Sequence, residues 1–253
     1  MSIPAGRGAR RGGGGGGERG FTLIEVLISV ATALFLLAGL LTVLQNIGAT
    51  RTNQASLAQL QDNQRVAMTL IAEVIQSAGY FPDPTTNTQA AALPSTVVSG
   101  ATLAAGQALY GTYLATGPGD TITARFATLS GDTIINCIGG TNTSGALVTY
   151  VNTFSITNSQ LACSLNGAAA TPLVNGLNRM DVWYGVKRDL TTDNFSVDTY
   201  LGAEELTAAD WSNVSSVKVR LTFDNPLAAL PGQPATVRFT RIIAIMGRVG
   251  VKL

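Results

Sequence analysis

From Phe21 to Leu44 this chain carries a single charge, and that charge is negative. Apart from Glu25, the stretch is aliphatic, Phe, Ala, Gly, Ser or Thr throughout. About 20 such residues suffice to cross a bilayer as a helix, so the segment reads as a transmembrane helix with a carboxylate inside it. An ionised carboxylate in hydrocarbon is costly, which makes an intramembrane acid a functional residue in search of a partner. The competing reading is an ordinary signal anchor that tolerates a Glu near its end.

What precedes the helix sharpens the choice. Residues 1–20 hold Arg7, Arg10, Arg11 and Arg19 against one acid, Glu18, and have no apolar core of their own. A secretory signal is cut behind its apolar region, after small residues; here the basic leader stops where the apolar region begins. The run Gly12 to Gly17 is no phosphate loop, because it lacks a preceding strand and the Lys and Ser/Thr that must follow. It reads as a flexible basic leader. Basic residues ahead of the helix, and none after it until Arg51, place the N-terminus in the cytoplasm and the larger C-terminal part across the membrane. In a Gram-negative cell that compartment is the periplasm, where disulfides persist.

The segment Arg19-Gly20-Phe21-Thr22-Leu23-Ile24-Glu25 resembles the class III signal of the type IV pilin superfamily. The resemblance implies cleavage after Gly20 by a prepilin peptidase and N-methylation of Phe21 as the new N-terminus. The apolar helix is then kept, with Glu25 as the fifth mature residue and the carboxylate of an assembly salt bridge.

Composition removes several alternatives. The 253 residues include 16 basic and 15 acidic ones, and no histidine. A net charge of +1 leaves no electrostatic footprint for nucleic acid. Without residues 1–20, 12 basic and 14 acidic residues remain, a net of −2. The lack of histidine excludes Ser-His-Asp and Cys-His triads and His-ligated metals; no enzyme, cofactor or metal is expected. Cys137 and Cys163 are the only cysteines. A metal or redox pair would need closer or additional ligands, and a structural disulfide is the reading preferred. In the chain-entropy model it would contribute roughly 3–4 kcal/mol.

The helical pattern continues beyond the apolar part. No proline occurs between Pro4 and Pro82, and Leu57, Leu60, Gln64, Ala67, Ile71, Val74 and Ala78 recur every three or four residues, one face of an amphipathic helix. Asp62, Asn63, Arg65, Thr69, Glu73 and Gln76 fall largely opposite. Gly79, Pro82 and Pro84 supply the stop. A helix over 21–78 would run about 87 Å, far more than an anchor needs. Gly39 and Gly48 are places for bending or for close packing of neighbouring helices.

From residue 79 onward the period changes to two. Strands are expected at 120–126, 146–151 and 153–156, then a turn at Asn158-Ser159 before 160–165, and at 179–186, 216–223 and 236–245. Residues 82–108 read as a long connection laid over the sheet. The expected fold is α+β: a leader over 1–20, a long helix over 21–78 that spans the membrane at 21–44, and an antiparallel-sheet domain over 79–253.

Residues 175–186, 198–201 and 211–221, with 61–65, 78–80 and 238–248, resemble the minor pilin family called PilW, while 85–173 diverge from it. The resemblance implies a structural protein of type IV pilus assembly. Its partners would be major and minor pilins met through the N-terminal helix, prepilin peptidase and inner-membrane lipid, with passage from the inner membrane into an extracellular pilus. A minor pseudopilin of a type II secretion system is the alternative. Many major pilins carry a helix-kinking proline within the apolar part; Thr42 stands in its place here. The turn with Asp189, Asp193 and Asp198 offers oxygen ligands, but it lacks the central glycine and closing Glu of a calcium loop and is read as a solvated turn. Trp183, Tyr184 and Trp211 are expected in the sheet core or against the helix.

Overall fold

The computed structural model describes residues 20–98, 100–189 and 197–248. The chain divides into two compact units, residues 1–52 and 53–253. Helix α1, Leu23–Gln76, runs through the division.

Within the first unit α1 leaves its large apolar side chains exposed, from Phe21 through Leu44 to Ile47. Every hydroxyl of its helical stretch is nonetheless satisfied. Ser29, Thr32 and Thr42 donate to the carbonyls of Glu25, Ile28 and Ala38 at 2.7, 2.9 and 3.0 Å, and Thr50 and Thr52 repeat the pattern. Such back-bonding spares a hydroxyl the need for water, as a helix in lipid requires. Thr42 thus keeps the helical ladder where a proline would break it. A Cβ added at Gly39 or Gly48 would meet nothing within 4 Å. Among the described residues α1 is the only helix long and apolar enough to cross a membrane.

In the second unit the expected stripe is the buried one. Leu60, Ala67, Ile71, Val74 and Ala78 are buried, joined by Met68, Ala72 and Ile75, which widen the stripe to a core-facing surface. Asp62, Arg65, Thr69 and Glu73 stay exposed. The chain leaves the helix through Gly79 at φ 79°, a left-handed position that glycine takes without strain. Its N–H donates to the Arg125 carbonyl at 2.9 Å, and a Cβ there would crowd Gln89 Nε2 at 2.9 Å.

Residues 82–108 are not featureless. They form the short helix α2, Gln89–Ala92, and a hairpin of β1, Thr96–Val98, and β2, Ala101–Leu103. After β3, Leu109–Thr112, come β4, Thr121–Thr128, β5, Val148–Thr157, β6, Gln160–Leu165, and β7, Thr171–Asn175. These five make one antiparallel sheet in the order β3-β4-β5-β6-β7. The two strands expected at 146–151 and 153–156 are one strand, β5. The β5–β6 turn uses Asn158 and Ser159, both at positive φ, the backbone twist that a two-residue hairpin favours.

A second sheet holds β8, Leu177–Val186, β9, Thr199–Leu201, β10, Val214–Asp224, and β11, Thr236–Ala244, in the order β11-β10-β8-β9. Ahead of β10 lies α3, Ala208–Ser212. The two sheets are joined by a parallel bridge between Gly119 and Met180. Asp120 N–H donates to the Met180 carbonyl at 2.8 Å, and Asp120 Oδ2 accepts from Val182 N–H at 2.8 Å. Gly119 sits at φ 84°, and a Cβ there would overlap the Met180 carbonyl. Helix stripe and both sheets enclose a single buried cluster that includes Phe126, Phe154, Val182, Val219 and Leu221.

The core also holds a charge. Arg125 of β4 is buried, and its guanidinium donates to the carbonyls of Gln107, Pro94, Leu93 and Ala104 at 2.5 to 3.2 Å, with no carboxylate bonded to it. Burial lowers its pKa from the ordinary arginine value. It pins both feet of the β1–β2 hairpin, so that connection is fixed by one side chain rather than by a hydrophobic pattern. Cys137 and Cys163 are joined, with Cα atoms 6.2 Å apart, tying the loop between β4 and β5 to β6. Arg125→Met should orphan four carbonyls and lower the unfolding free energy by about 3 kcal/mol or more. Urea denaturation would measure this, and limited proteolysis should show new cuts within 93–107.

Candidate functional site: the helix N-terminus and its carboxylate

Gly20, Phe21 and Thr22 precede the first helical residue, Leu23. Thr22 acts as the cap. Its carbonyl accepts from Glu25 N–H at 3.0 Å and Val26 N–H at 3.2 Å, and its hydroxyl lies 3.4 Å from Glu25 N. Thr22 and Glu25 therefore occupy the cap and third positions of a Thr-x-x-Glu start, where a carboxylate also meets the positive end of the helix dipole. The Thr-x-x-Glu pattern stands in the sequence, but the charge of Glu25 draws attention away from it.

The Glu25 side chain is exposed among apolar neighbours and has no bonded partner among the described residues. Phe21 is 83 % exposed, and Leu23, Ile24, Val26 and Leu27 are exposed with it. The site is thus an acid at the start of an uncovered apolar helix, with no bonded cation among the described residues. Arg19 and the rest of the leader lie outside the described residues.

Comparison with known proteins points the same way. Residues 140–240 match the family model of the type IV pilus-assembly protein W. The pilin-like protein PilA3 of Thermus thermophilus is 26 % identical over 205 residues, covering 78 % of this chain and 81 % of its own. Over these stretches the chain is similar to proteins of the type IV pilin superfamily. Two solved structures are similar to this chain in part. A complex of two pseudopilins of the type 2 secretion system of Vibrio vulnificus gives a TM-score of 0.45 at 11 % identity, covering 76 % of this chain and 94 % of that one. A type IV-like pilin of Thermus thermophilus gives 0.42 at 16 % identity, covering 74 % and 95 %.

The remaining candidate residues separate. Tyr184 is buried in the core, and Trp211 of α3 packs edge-on against it at 4.8 Å. Trp183 departs from expectation: β8 alternates, so Trp183 points away from the core, between the cations of Lys218 and Arg220 at 4.8 and 4.7 Å. Of the acidic turn, Asp193 lies outside the described residues. Asp198 Oδ2 accepts from the backbone N–H groups of Arg188 and Asp189 at 2.8 and 2.7 Å. Among the described residues no group of three or more Cys, Asp or Glu side chains is placed to hold a metal ion.

One carboxylate in this region carries weight that the sequence did not announce. Asp210 is buried, accepts from the Arg188 guanidinium at 2.8 Å and from Thr207 N–H at 2.9 Å, and closes a capping box at the start of α3. The Arg188 bond, followed by the Thr207 backbone bond, holds its pKa well below the usual carboxylate range. A depressed carboxylate stabilises the fold fully above its unfolded pKa of about 4 and loses that contribution as pH falls. Asp210→Asn should therefore cost about 1 kcal/mol at neutral pH. The gap between variant and parent should close as denaturation midpoints are followed from about pH 5 down to pH 2.

Proposed function

We propose that this chain is a PilW-type minor pilin, a non-catalytic subunit that primes or joins type IV pilus assembly after prepilin peptidase removes residues 1–20. The observation that carries this reading is Glu25: it is the only charge between Phe21 and Leu44, exposed and without a bonded partner among the described residues. Cleavage after Gly20 creates an amine on Phe21 that stays chargeable when methylated. In a fibre the amine of one subunit meets the carboxylate of a neighbour, and two charges that are costly in lipid compensate each other. The pairing gains most where the dielectric is low, and it sets register as well as energy.

The basic leader supports an N-terminus in the cytoplasm and a globular unit in the periplasm before the subunit enters the pilus. The match to a pilus-assembly family over 140–240 supports the pilus over a type II secretion pseudopilin. Partners on this reading are other pilins along α1, the peptidase and inner-membrane lipid.

Two outcomes test the proposal. Mass spectrometry of membrane-extracted protein should find Phe21 at the N-terminus, N-methylated. An intact leader in a strain with active prepilin peptidase, or a cut behind the apolar segment, would sink the maturation step. Glu25→Leu should leave membrane insertion and the folding of the sheets unchanged while its incorporation into sheared pili falls at least tenfold. Incorporation at the parental level would return the helix to the role of a plain anchor.

A further inference from the structure

One strand edge of the globular unit is long and unpaired. β11 closes the four-stranded sheet on the side away from β9, and among the described residues it pairs only with β10. The other outer strands of the two large sheets are shorter: β3 has four residues, β7 five and β9 three, against nine in β11. Short edges resist further pairing, as do prolines and bulges. β11 contains no proline, and its register with β10 runs without a shift, whereas those of β8 with β10 and of β6 with β7 are interrupted. At about 3.4 Å per residue it offers roughly 30 Å of continuous edge.

The ladder fixes which backbone groups face outward. Asn225 N–H donates to the Ala235 carbonyl at 3.0 Å and Ile245 N–H to the Ser215 carbonyl at 2.9 Å, one pair beyond each end of the β10–β11 register. Hydrogen-bonded pairs alternate with unbonded ones along an antiparallel ladder, so Val237, Phe239, Arg241 and Ile243 bond β10. Thr236, Arg238, Thr240, Ile242 and Ala244 turn their N–H and C=O groups to the free side, where nothing among the described residues bonds them. All of these except Thr236 are exposed.

Side chains select what can pair here. β11 carries Arg238 and Arg241 and no acid. Neither arginine is ion-paired among the described residues; Arg241 reaches the Met68 carbonyl at 3.5 Å. Asp224, opposite Thr236 at the far end, is bonded by Asn178 at 2.6 Å. Ile242 is 58 % exposed. Opposite charges and apolar groups that face each other stabilise a strand pair, and like charges oppose it. A second β11 set against this one would gather four arginines and no acid, which disfavours pairing between copies. An added antiparallel strand fits when it places acids beside Arg238 and Arg241 and an aliphatic residue beside Ile242.

We propose that the free edge of β11 binds an extended acidic segment of another polypeptide by strand addition, its acids spaced as Arg238 and Arg241 are and an aliphatic residue next to the first of them. Main-chain bonds supply the affinity in this mode, and alternate side chains supply the selection. The site does not involve Glu25, so its failure leaves the function proposed above untouched. The probe is a capped, fluorescein-labelled peptide, Thr-Ile-Glu-Thr-Val-Glu-Thr, titrated by fluorescence anisotropy against the full chain in detergent. One control is the same peptide N-methylated at Ile, the central Thr and the second Glu, the residues opposite Ile242, Thr240 and Arg238; another has Lys for both Glu. The parent should bind the probe about tenfold or more tightly than either control. Thr240→Pro removes an outward N–H without breaking a bond to β10, the kind of edge position where proline is tolerated. It should weaken probe binding about tenfold or more, with the thermal melt by circular dichroism kept. Arg238→Glu with Arg241→Glu should turn the preference to the Lys peptide, and Glu25→Leu should bind as the parent does. No binding up to about 1 mM probe, equal binding of the probe and its N-methylated form, or undiminished binding in a folded Thr240→Pro overturns the proposal. Should Thr240→Pro unfold, the N-methylated peptide and the charge reversal decide. Self-association of the parent that Thr240→Pro abolishes also overturns it, since the occupant is then a second copy.

Discussion

Everything in the globular unit closes over one stripe of one helix. Ala67, Met68, Ile71, Ala72, Val74 and Ile75 lie in the same buried cluster as the inward faces of both sheets. The stripe mixes small Ala67 and Ala72 with larger Met68, Ile71 and Ile75, all of them buried. Interdigitation of small and large side chains is what gives a core its density. The sheets reach this arrangement only because they are also fastened to each other at Gly119 and Met180, where Asp120 spends its carboxylate on backbone N–H groups. A buried acid is tolerated when its oxygens are fully used, and here that use joins two sheets.

The same accounting explains why the hairpin region folds without an apolar pattern. A buried guanidinium offers five N–H donors in a fixed fork, and Arg125 spends them on carbonyls of a segment that has few strands to pair with. The desolvation that lowers its pKa is the cost of that arrangement. Nothing in the neighbourhood of residue 125 distinguishes this arginine from a surface one, since β4 reads as an alternating strand in which every second residue should be exposed. Its burial depends on a segment 18 to 32 residues away in sequence.

That contrast marks what was legible. Long periodic elements were: the helix stripe, the turn at Asn158-Ser159, and the strands β4, β8, β10 and β11 follow from spacing, because a period of 3.6 or 2 is set by local geometry. The short strands β1, β2, β3, β7 and β9 were not, because three to five residues carry too little pattern and form by pairing with strands already in place. Trp183 was misplaced for a related reason. In Met180 to Tyr184 two aromatic residues are adjacent, and adjacent strand residues cannot both face the core. Only the register with β10 shows that Tyr184 is inside and that Trp183 lies between two cations. Of the candidate site, Gly20, Phe21 and Glu25 stood out in the sequence because one charge interrupts an apolar run, while the cap formed by Thr22 was hidden behind it.

Within the globular unit, charges taken from water are matched by chemistry in the same chain. Asp181 has two arginines, Asp210 has Arg188 and two groups of Thr207, Asp120 has backbone N–H groups, and Arg125 has carbonyls. Exposed acids such as Glu73 and Asp83 need no such match, since water solvates them. Glu25 belongs to neither group. It stands in a stretch where solvation by water is not on offer once the helix enters lipid, and among the described residues no cation is bonded to it. On the proposed reading, compensation for Glu25 arrives with another molecule. Its energetic demand exceeds that of the exposed acids, because its alternative is hydrocarbon rather than water. On the function proposed above, that demand is what ties Glu25 to subunit assembly.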